Sequence, residues 1–213
     1  MIKVSIIIVS YNVRSYVSHA IDSILKSDYN NFEIIVVDNN SFDGTCDHLK
    51  KKYETIHVIS NDTNRGFGKA VNQGAKHADG EYLFVLNPDT IIEEDTISKL
   101  IKYISKNKNV GMVGPKILNA DGSLQLSCKR SFPTLKVALP KILGLDKVFP
   151  NSKWMGKYNL TYLDHSKNHT VDAISGSCMM ISSRVFRKIG GFDENFFMLS
   201  LIHISEPTRR YSI

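Results

Sequence analysis

The sequence has few cysteines, and no apolar run approaches the ~18 to 20 residues that a membrane-spanning helix requires. Its first residues also lack the cationic region, long apolar stretch and cleavage site of a signal peptide. Three cysteines, which cannot all pair with one another and have no metal-ligand spacing, are typical of free thiols in a reducing compartment. These absences favour a cytoplasmic protein.

Nucleic-acid binding is also not indicated, because no helix has a sustained basic face interleaved with aromatic residues and no nucleic-acid motif occurs. The net charge of +6 suits phosphate-bearing substrates or an anionic membrane surface. With 213 residues, 42% hydrophobic and 23% charged, the chain is long enough for one domain with a substantial core.

The first half of the chain alternates strand-like and helix-like segments. Continuous β-branched runs indicate strands buried on both faces, and apolar residues at helical spacing indicate helices that pack on them. Repeated units of this kind predict an open, mostly parallel sheet with helices on both faces. The predicted strands are 3–12, 32–40, 56–61 and 81–89, and the predicted helices are 13–25, 41–54, 66–78 and 92–105.

The second half is less regular. Residues 110–118 and 122–130 predict two shorter strands, 171–182 a buried strand, and the segment from Ser183 a helix closed by Gly190 and Gly191. Residues 129–163 are basic and apolar at once, and their prolines limit each helix to a couple of turns. This insertion is either a helical element that lies on a membrane or a partner, or a plain surface subdomain.

Polar residues end three of the predicted parallel strands, where open α/β sheets bind ligands. Asp89 follows the fourth strand and is a candidate inner-sphere ligand for Mg²⁺ or Mn²⁺ held mainly by a substrate diphosphate, with Asn87 as a further oxygen donor. The alternative is that Asp89 only caps the next helix. The strand-end groups are Ser10, Tyr11 and Asn12; Asp38, Asn39 and Asn40; and Asn87, Pro88 and Asp89.

The same strand ends offer groups for a nucleotide. Tyr11 has a face on which a base can stack, and Asp38 can accept the imide N–H of uracil or thymine. Arg65, Gly66 and Lys69 lie at a glycine-rich helix start, a setting that binds phosphate. The alternatives are a core aromatic for Tyr11 and a turn former for Asp38.

The segments "VSIIIVSYNVRSYVSHAIDSIL", "IIVVDNNSFDGT", "NRGFGKAVNQGAKHADGEYLFVLNPDT" and "VDAISGSCMMISSRVFRKIGGFDENFF" together resemble family 2 glycosyltransferases, in the rhamnosyltransferase-like branch. The resemblance runs from about Val4 to Met198. It implies a glycosyltransferase A-type fold, a nucleotide-diphosphate-sugar donor, a divalent metal, and inversion at the anomeric carbon. It also implies that Tyr11 and Asp38 contact the base and that Asp89 binds the metal, with Asn87 replacing the first acid of a DxD-like element.

The implied role of the domain is sugar transfer to a glycan or lipid-linked acceptor in surface-polysaccharide synthesis, at the inner face of the cell membrane. The alternatives are a nucleotide-binding or scaffold module and a sugar-phosphate nucleotidyltransferase. The nucleotide site is predicted to contain Ser10, Tyr11, Asn12, Asp38, Asn40, Arg65, Gly66, Lys69 and Asn87, and the acceptor side Gly176, Asp193 and Glu194.

The resemblance implies a general base in an acidic segment directly after the "GGFDENFF" loop. Residues 199–213 instead contain a single acid, Glu206, followed by Pro207. The stretch "LSLIHISEPTR" resembles the conceptual translation of a sequencing-library adapter. We therefore expect a domain at 1–198, a non-native tail at 199–213, and a chain without its catalytic base; the alternative is a native tail that forms one more strand.

Overall fold

The computed structural model describes residues 1–132, 134–149 and 151–196, and the backbone of 211–212. The strands are β1 (Val4–Ser10), β2 (Phe32–Asp38), β3 (His57–Ser60), β4 (Tyr82–Leu86), β5 (Met112–Val113), β6 (Lys129–Arg130), β7 (Thr170–Val171), β8 (Ala173–Ile174), β9 (Cys178–Ser182) and β10 (Tyr211–Ser212). The helices are α1 (Arg14–Leu25), α2 (Thr45–Lys52), α3 (Phe67–His77), α4 (Thr96–Lys106), α5 (Leu135–Ile142), α6 (Leu145–Val148) and α7 (Ser183–Lys188), with a 3₁₀ turn at Leu126–Cys128.

The central sheet has the strand order β3-β2-β1-β4-β9-β5-β10-β7, and β6 and β8 form a separate two-stranded sheet. Strands β1 to β4 are parallel, as predicted. β9 is antiparallel to both β4 and β5. The sheet is therefore mixed, with its parallel part built by the first half of the chain.

The continuous apolar run of β1 reflects burial on both sides of the sheet. Ile6 and Ile8 face a core shared with α1, α2 and α4, whereas Ile7 and Val9 face a second core with α3 and α7. Successive strand residues point to opposite faces, so a strand covered on both sides needs apolar residues at every position.

The carboxyl ends of β1 and β4 flank the point where the strand order reverses. From β1 the chain continues to β2 and β3 on one side, and β4 lies on the other side of β1. In open α/β sheets a crevice forms at this position, and ligands bind in it. The topology thus brings the segments after Ser10 and Leu86 to the same edge.

Three predictions of strand or helix bounds are wrong. Residues 171–182 form three short strands, β7, β8 and β9, and not one buried strand, and β8 belongs to the smaller sheet. Residues 110–130 form two strands of two residues each, β5 and β6, with one isolated bridge between Leu118 and Leu124 and the 3₁₀ turn between them. Pro115 has no N–H to donate to a ladder, which ends the first of these strands early. The fourth helix begins at Thr96, because Thr96 N–H closes a turn on the Glu93 carbonyl before the helix starts.

The insertion at 129–163 contains two short helices, α5 and α6, of eight and four residues. Their lengths agree with the expectation that prolines would limit them. In the described parts of the chain, no helix has the length and hydropathy needed to cross a bilayer.

Candidate functional site

Asp38 connects the carboxyl ends of β1 and β2. Its carboxylate is only 1% exposed. Oδ1 accepts hydrogen bonds from Ser10 Oγ (2.8 Å) and Ser41 Oγ (2.6 Å), and Oδ2 accepts one from the Ser41 N–H (2.9 Å). A carboxylate offers about four acceptor positions, so these bonds leave one on Oδ2. In this structure Asp38 holds the strand ends together, and its contact with a base remains a prediction.

Asn12 and Asn40 shape the loops that follow these strands. Both adopt left-handed backbone conformations, with φ of 55° and 66°. Asparagine tolerates this region better than most residues. The Asn12 N–H donates to Ser41 Oγ (2.9 Å), and Asn12 Oδ1 accepts from the Phe42 N–H (2.9 Å). The two predicted asparagines therefore shape the backbone at the carboxyl ends of β1 and β2.

Tyr11 and Phe42 form an exposed aromatic pair at this edge. Their rings meet edge to face with centroids 5.9 Å apart. Tyr11 is 43% exposed and Phe42 76% exposed, so the core-aromatic alternative for Tyr11 is wrong. Such a pair offers a surface on which a base can stack. Phe42 was not predicted as a site residue. The available signal was a phenylalanine in a turn, outside any apolar periodicity.

Two asparagines attach the start of α3 to the strand ends. Asn61 Nδ2 donates to Asn39 Oδ1 (3.0 Å), and Asn39 Nδ2 donates to the Gly66 carbonyl (3.3 Å). Gly66 precedes α3 with φ of 81° and no side-chain cap. The first N–H groups of a helix have no intrahelical acceptor, so they can bind an anion. Exposed Arg65 and Lys69 flank this position.

Asp89 lies in the turn after β4, with an exposed side chain. The Asn87 N–H donates to the Ser177 carbonyl (2.8 Å), and the Asn87 carbonyl accepts from the Thr90 N–H (3.2 Å). The alternative of a helix cap is wrong for Asp89, because Asp95 occupies the position before α4.

The oxygen donors at this turn suit a hard divalent cation that the substrate also binds. Among the described residues there is no group of three or more His, Cys, Asp or Glu side chains able to hold a metal alone. Mg²⁺ is commonly bound by one or two protein carboxylates, substrate phosphates and water. Asp89, with Asn87 beside it, fits that pattern.

A cavity of about 640 Å³ adjoins Asp89. Its lining includes the charged residues Glu93 and Lys116 and the polar residues Gln125 and Ser175. This volume is within the range of ~300–1,000 Å³ typical of small-molecule sites. Ser175 and Ser177 bond each other through their hydroxyls (2.7 Å), and they hold the Gly176 loop beside Asn87.

Asp193 and Glu194 lie in the loop after α7, and this loop packs against α3. Asn72 Nδ2 donates to the Phe192 carbonyl (2.8 Å) and to Glu194 Oε1 (3.0 Å). Asp193 Oδ1 accepts from the Asn195 N–H (2.9 Å), which is a turn role. The structure thus places the acidic pair against α3, whereas Ser177, next to Gly176, bonds to Asn87 after β4. Asn72 could not be identified from the sequence, because a single polar residue is ordinary in a predicted amphipathic helix.

Residues 5–190 match the family model "Glycosyl transferase family 2". The chain belongs to this family. It is 26% identical over 204 residues to the N-acetylglucosaminyl-diphospho-decaprenol L-rhamnosyltransferase of Mycobacterium tuberculosis, covering 91% of this chain and 66% of that protein. It is 33% identical over 173 residues to the low-salt glycan biosynthesis hexosyltransferase Agl10 of Haloferax volcanii, covering 78% and 49%.

Solved structures confirm the predicted glycosyltransferase A-type fold. The mannosyltransferase PcManGT of Pyrobaculum calidifontis, solved with GDP-Man and Mn²⁺, has a TM-score of 0.63 at 20% identity, covering 90% of this chain and 48% of that chain. Residues 1–349 of S. aureus TarS have a TM-score of 0.63 at 20% identity, covering 98% and 60%. The chain spans about two thirds of the length of the M. tuberculosis relative and about half the length of Agl10.

The general base of this family 2 domain was predicted after Met198. That segment, like most of the tail at 199–213, lies outside the described residues.

Proposed function

We propose that this family 2 domain transfers a hexose from a nucleotide-diphosphate donor to a glycan or lipid-linked acceptor, with inversion at the anomeric carbon. The observation that carries the proposal is that two exposed groups follow neighbouring parallel strands at the switch point of the sheet. Tyr11 exposes its ring after β1, and Asp89 exposes its carboxylate after β4. A base and a diphosphate need these two chemistries within one crevice.

The donor would bind along the strand ends. Tyr11 and Phe42 stack on the base, and the remaining acceptor position of Asp38 takes a ring N–H at the base edge. Arg65, Lys69 and the first N–H groups of α3 are in a position to neutralise phosphate charge. Uracil, thymine and guanine carry such a ring N–H, whereas adenine and neutral cytosine do not. We assign uracil or thymine, which suits a UDP- or dTDP-sugar such as a rhamnose donor.

A divalent cation, Mg²⁺ or Mn²⁺, would supply charge stabilisation of the departing diphosphate. Asp89 would hold it, with Asn87 as a further oxygen donor. One carboxylate gives weaker metal binding than two, so we expect the bound nucleotide to supply much of the affinity. The solved relative PcManGT contains Mn²⁺ with GDP-Man, which supports this assignment.

The acceptor would enter the cavity beside Asp89 and Gly176. The name of the M. tuberculosis relative specifies a diphospho-decaprenol acceptor, which supports a lipid-linked substrate and work at the inner face of a membrane. Transfer also needs a general base for the acceptor hydroxyl. Because residues 199–213 contain a single acid, Glu206, we expect the 213-residue chain to bind donor nucleotide without transferring sugar.

Calorimetric titration of the 213-residue chain with UDP and dTDP, with and without Mn²⁺, tests the donor site. We expect Mn²⁺ to strengthen binding, and Asp89→Ala to weaken the Mn²⁺-dependent binding by at least tenfold. Glu54→Ala removes an exposed acid beyond α2 and is the matched control, which should bind like the unmodified chain.

Two results would contradict the proposal. If neither nucleotide binds, the donor site is wrong. If binding is the same in Asp89→Ala with and without Mn²⁺, the cation is not held at this turn. Sugar transfer by the 213-residue chain would contradict the prediction that this chain has no general base. It would not contradict the proposed donor site.

A further inference from the structure

Helix α5 presents an apolar face to solvent. Leu135, Leu139 and Ile142 are 90%, 56% and 78% exposed. Their spacing of four and three residues places them on one side of the helix. The opposite side, with Val137 and Pro140, is buried against the domain. A surface helix of a globular protein has the reverse pattern, with polar residues outward.

Further exposed apolar residues follow α5 in the chain. Leu143 (62%), Val148 (67%), Phe149 (50%) and Trp154 (63%) are also exposed. Scattered exposed apolar residues are ordinary, but a contiguous group on one short segment marks an interaction site. We name this group the α5 surface; it comprises Leu135, Leu139, Ile142, Leu143, Val148, Phe149 and Trp154.

The segment that carries the α5 surface also carries the net charge of the chain. Residues 129–163 contain seven basic side chains and one acidic one, out of 27 and 21 in the whole chain. The remainder therefore has 20 of each sign and no net charge. Of the seven, Lys129 is buried, and the exposed lysines are Lys136, Lys141, Lys147, Lys153 and Lys157.

We propose that the α5 surface docks on the interface of an anionic phospholipid bilayer. An amphipathic helix of this kind lies in the membrane plane with its apolar face among the acyl chains and its basic residues at the headgroups. Tryptophan favours the interfacial depth, and each lysine near an anionic surface adds attraction. A second copy of this chain is a poor occupant, since its equally basic segment would be brought against the first.

The α5 surface is attached directly to the edge that carries the cavity. β6, at the start of the segment, pairs with β8, and the Ser175 N–H donates to the Cys128 carbonyl (2.9 Å). Ser175 also lines the cavity beside Asp89. Docking would therefore hold the cavity near the membrane surface. The docking itself does not depend on sugar transfer, so it can be tested apart from the proposed activity.

Trp154 is the only tryptophan in the chain, so its fluorescence reports on the α5 surface alone. The 213-residue chain is titrated with vesicles of phosphatidylcholine and of phosphatidylcholine with phosphatidylglycerol. We expect a blue shift and quenching by brominated acyl chains only with the anionic vesicles. Binding should weaken as salt increases, because the lipid charge is screened. No spectral change, or an equal change with neutral vesicles, overturns the proposal.

Paired variants separate the apolar and the charged contributions. We expect Leu135→Ser with Ile142→Ser to reduce vesicle partitioning more than tenfold, and Lys136→Glu with Lys147→Glu to reduce it at least as strongly, since each lysine contributes roughly fivefold. The controls are Leu25→Ser, which changes an exposed apolar residue on α1, and Lys50→Glu with Lys51→Glu on α2.

All substituted side chains are exposed, so the melting temperature should stay within a few degrees of the unmodified chain, and this is measured for each variant. If Lys50→Glu with Lys51→Glu reduces vesicle partitioning as much as Lys136→Glu with Lys147→Glu does, binding follows the total charge of the chain. The proposal then fails. It also fails if size-exclusion chromatography shows a dimer that Leu135→Ser with Ile142→Ser dissociates while vesicle binding is absent.

Discussion

The side chain of Asn72 and the backbone of Phe192 form two reciprocal hydrogen bonds across 120 residues of sequence. The Phe192 N–H donates to Asn72 Oδ1, and Asn72 Nδ2 donates to the Phe192 carbonyl, each at 2.8 Å. Both bonds are buried. They fasten the loop that contains Asp193 and Glu194 onto α3, next to the proposed phosphate site.

Replacing Asn72 should detach this loop. Asn72→Ala leaves a buried N–H and carbonyl of Phe192 without partners, so we expect a loss of about 1–3 kcal/mol in the free energy of unfolding. Asn72→Asp keeps an acceptor for the N–H but sets a carboxylate against the Phe192 carbonyl and Glu194, so its loss should be at least as large. Urea denaturation measures both losses, and hydrogen exchange should show faster exchange at Phe192. Unchanged exchange there would contradict the assignment.

Gly191 and Gly190 are a matched pair for testing how closely the loop approaches α3. Both have left-handed backbones, with φ of 79° and 81°. A Cβ on Gly191 would lie 2.5 Å from Asn72 Oδ1, whereas a Cβ on Gly190 would meet nothing within 4 Å. Gly190→Ala should therefore cost about 1 kcal/mol, from the backbone alone. Gly191→Ala should cost clearly more in thermal denaturation; equal costs would show that the two elements are not in close contact.

Asp38→Asn should weaken both stability and nucleotide binding. The amide has one acceptor oxygen where the carboxylate accepts three hydrogen bonds, so we expect a loss of about 2 kcal/mol or more in the free energy of unfolding. Asp43→Asn is the control, because Asp43 also accepts backbone N–H groups but is exposed. Calorimetry with UDP, on protein shown to be folded, measures the second effect. Equal stability of the two variants would contradict a central role for Asp38.

His165 should make stability fall on acidification. Burial lowers the pKa of His165, and the charges of Lys129 and Lys116 lower it further, while Asp164 opposes them. Lys129 Nζ lies 2.7 Å from His165 Nδ1, which suits a neutral imidazole. Because the folded pKa lies below the unfolded value of about 6.5, the unfolded chain binds the proton first as pH falls, and the folded state loses stability below that value.

The measurement is the melting temperature at pH 7.5 and pH 5.5 for the unmodified chain and for His165→Gln. We expect a smaller drop in the variant. His19→Gln, at an exposed position on α1, is the control and should keep the full drop. An identical drop in all three proteins would show that His165 does not contribute.

The sequence predicted the parallel part of the fold well, because local rules govern it. Val4–Ser10 is buried at every position, and its unbroken apolar run Ile6–Val9 is what a strand covered on both faces requires. Strand-end polar residues such as Asp89 could be assigned to one edge, since parallel strands share their direction. Family membership and the glycosyltransferase A-type fold are confirmed.

The parts that were missed depend on contacts between distant residues. Ser41 can be recognised as the acceptor for the Asn12 N–H only when β1 and β2 are aligned. Asn72 can be recognised as the partner of Phe192 only when the loop of Phe192 lies on α3. The two-residue β5 owes its pairing to β9 and not to its own sequence period. Ser177 supplies a backbone carbonyl to Asn87, a role that carries no side-chain signal. The roles of the predicted site residues in binding and catalysis stay predictions.

The antiparallel pairing of β9 with β4 also has a consequence for how the chain is made. β4 ends at Leu86, but its outer neighbour begins only at Cys178. At ribosomal rates of about 5–20 residues per second, the edge of β4 that pairs with β9 stays unpaired for on the order of 5–20 s during synthesis. An unpaired edge of this kind invites pairing with other chains. We expect a nascent chain to need a chaperone most during this interval. A strand that is synthesised sooner after β4 and pairs with it should reduce that need.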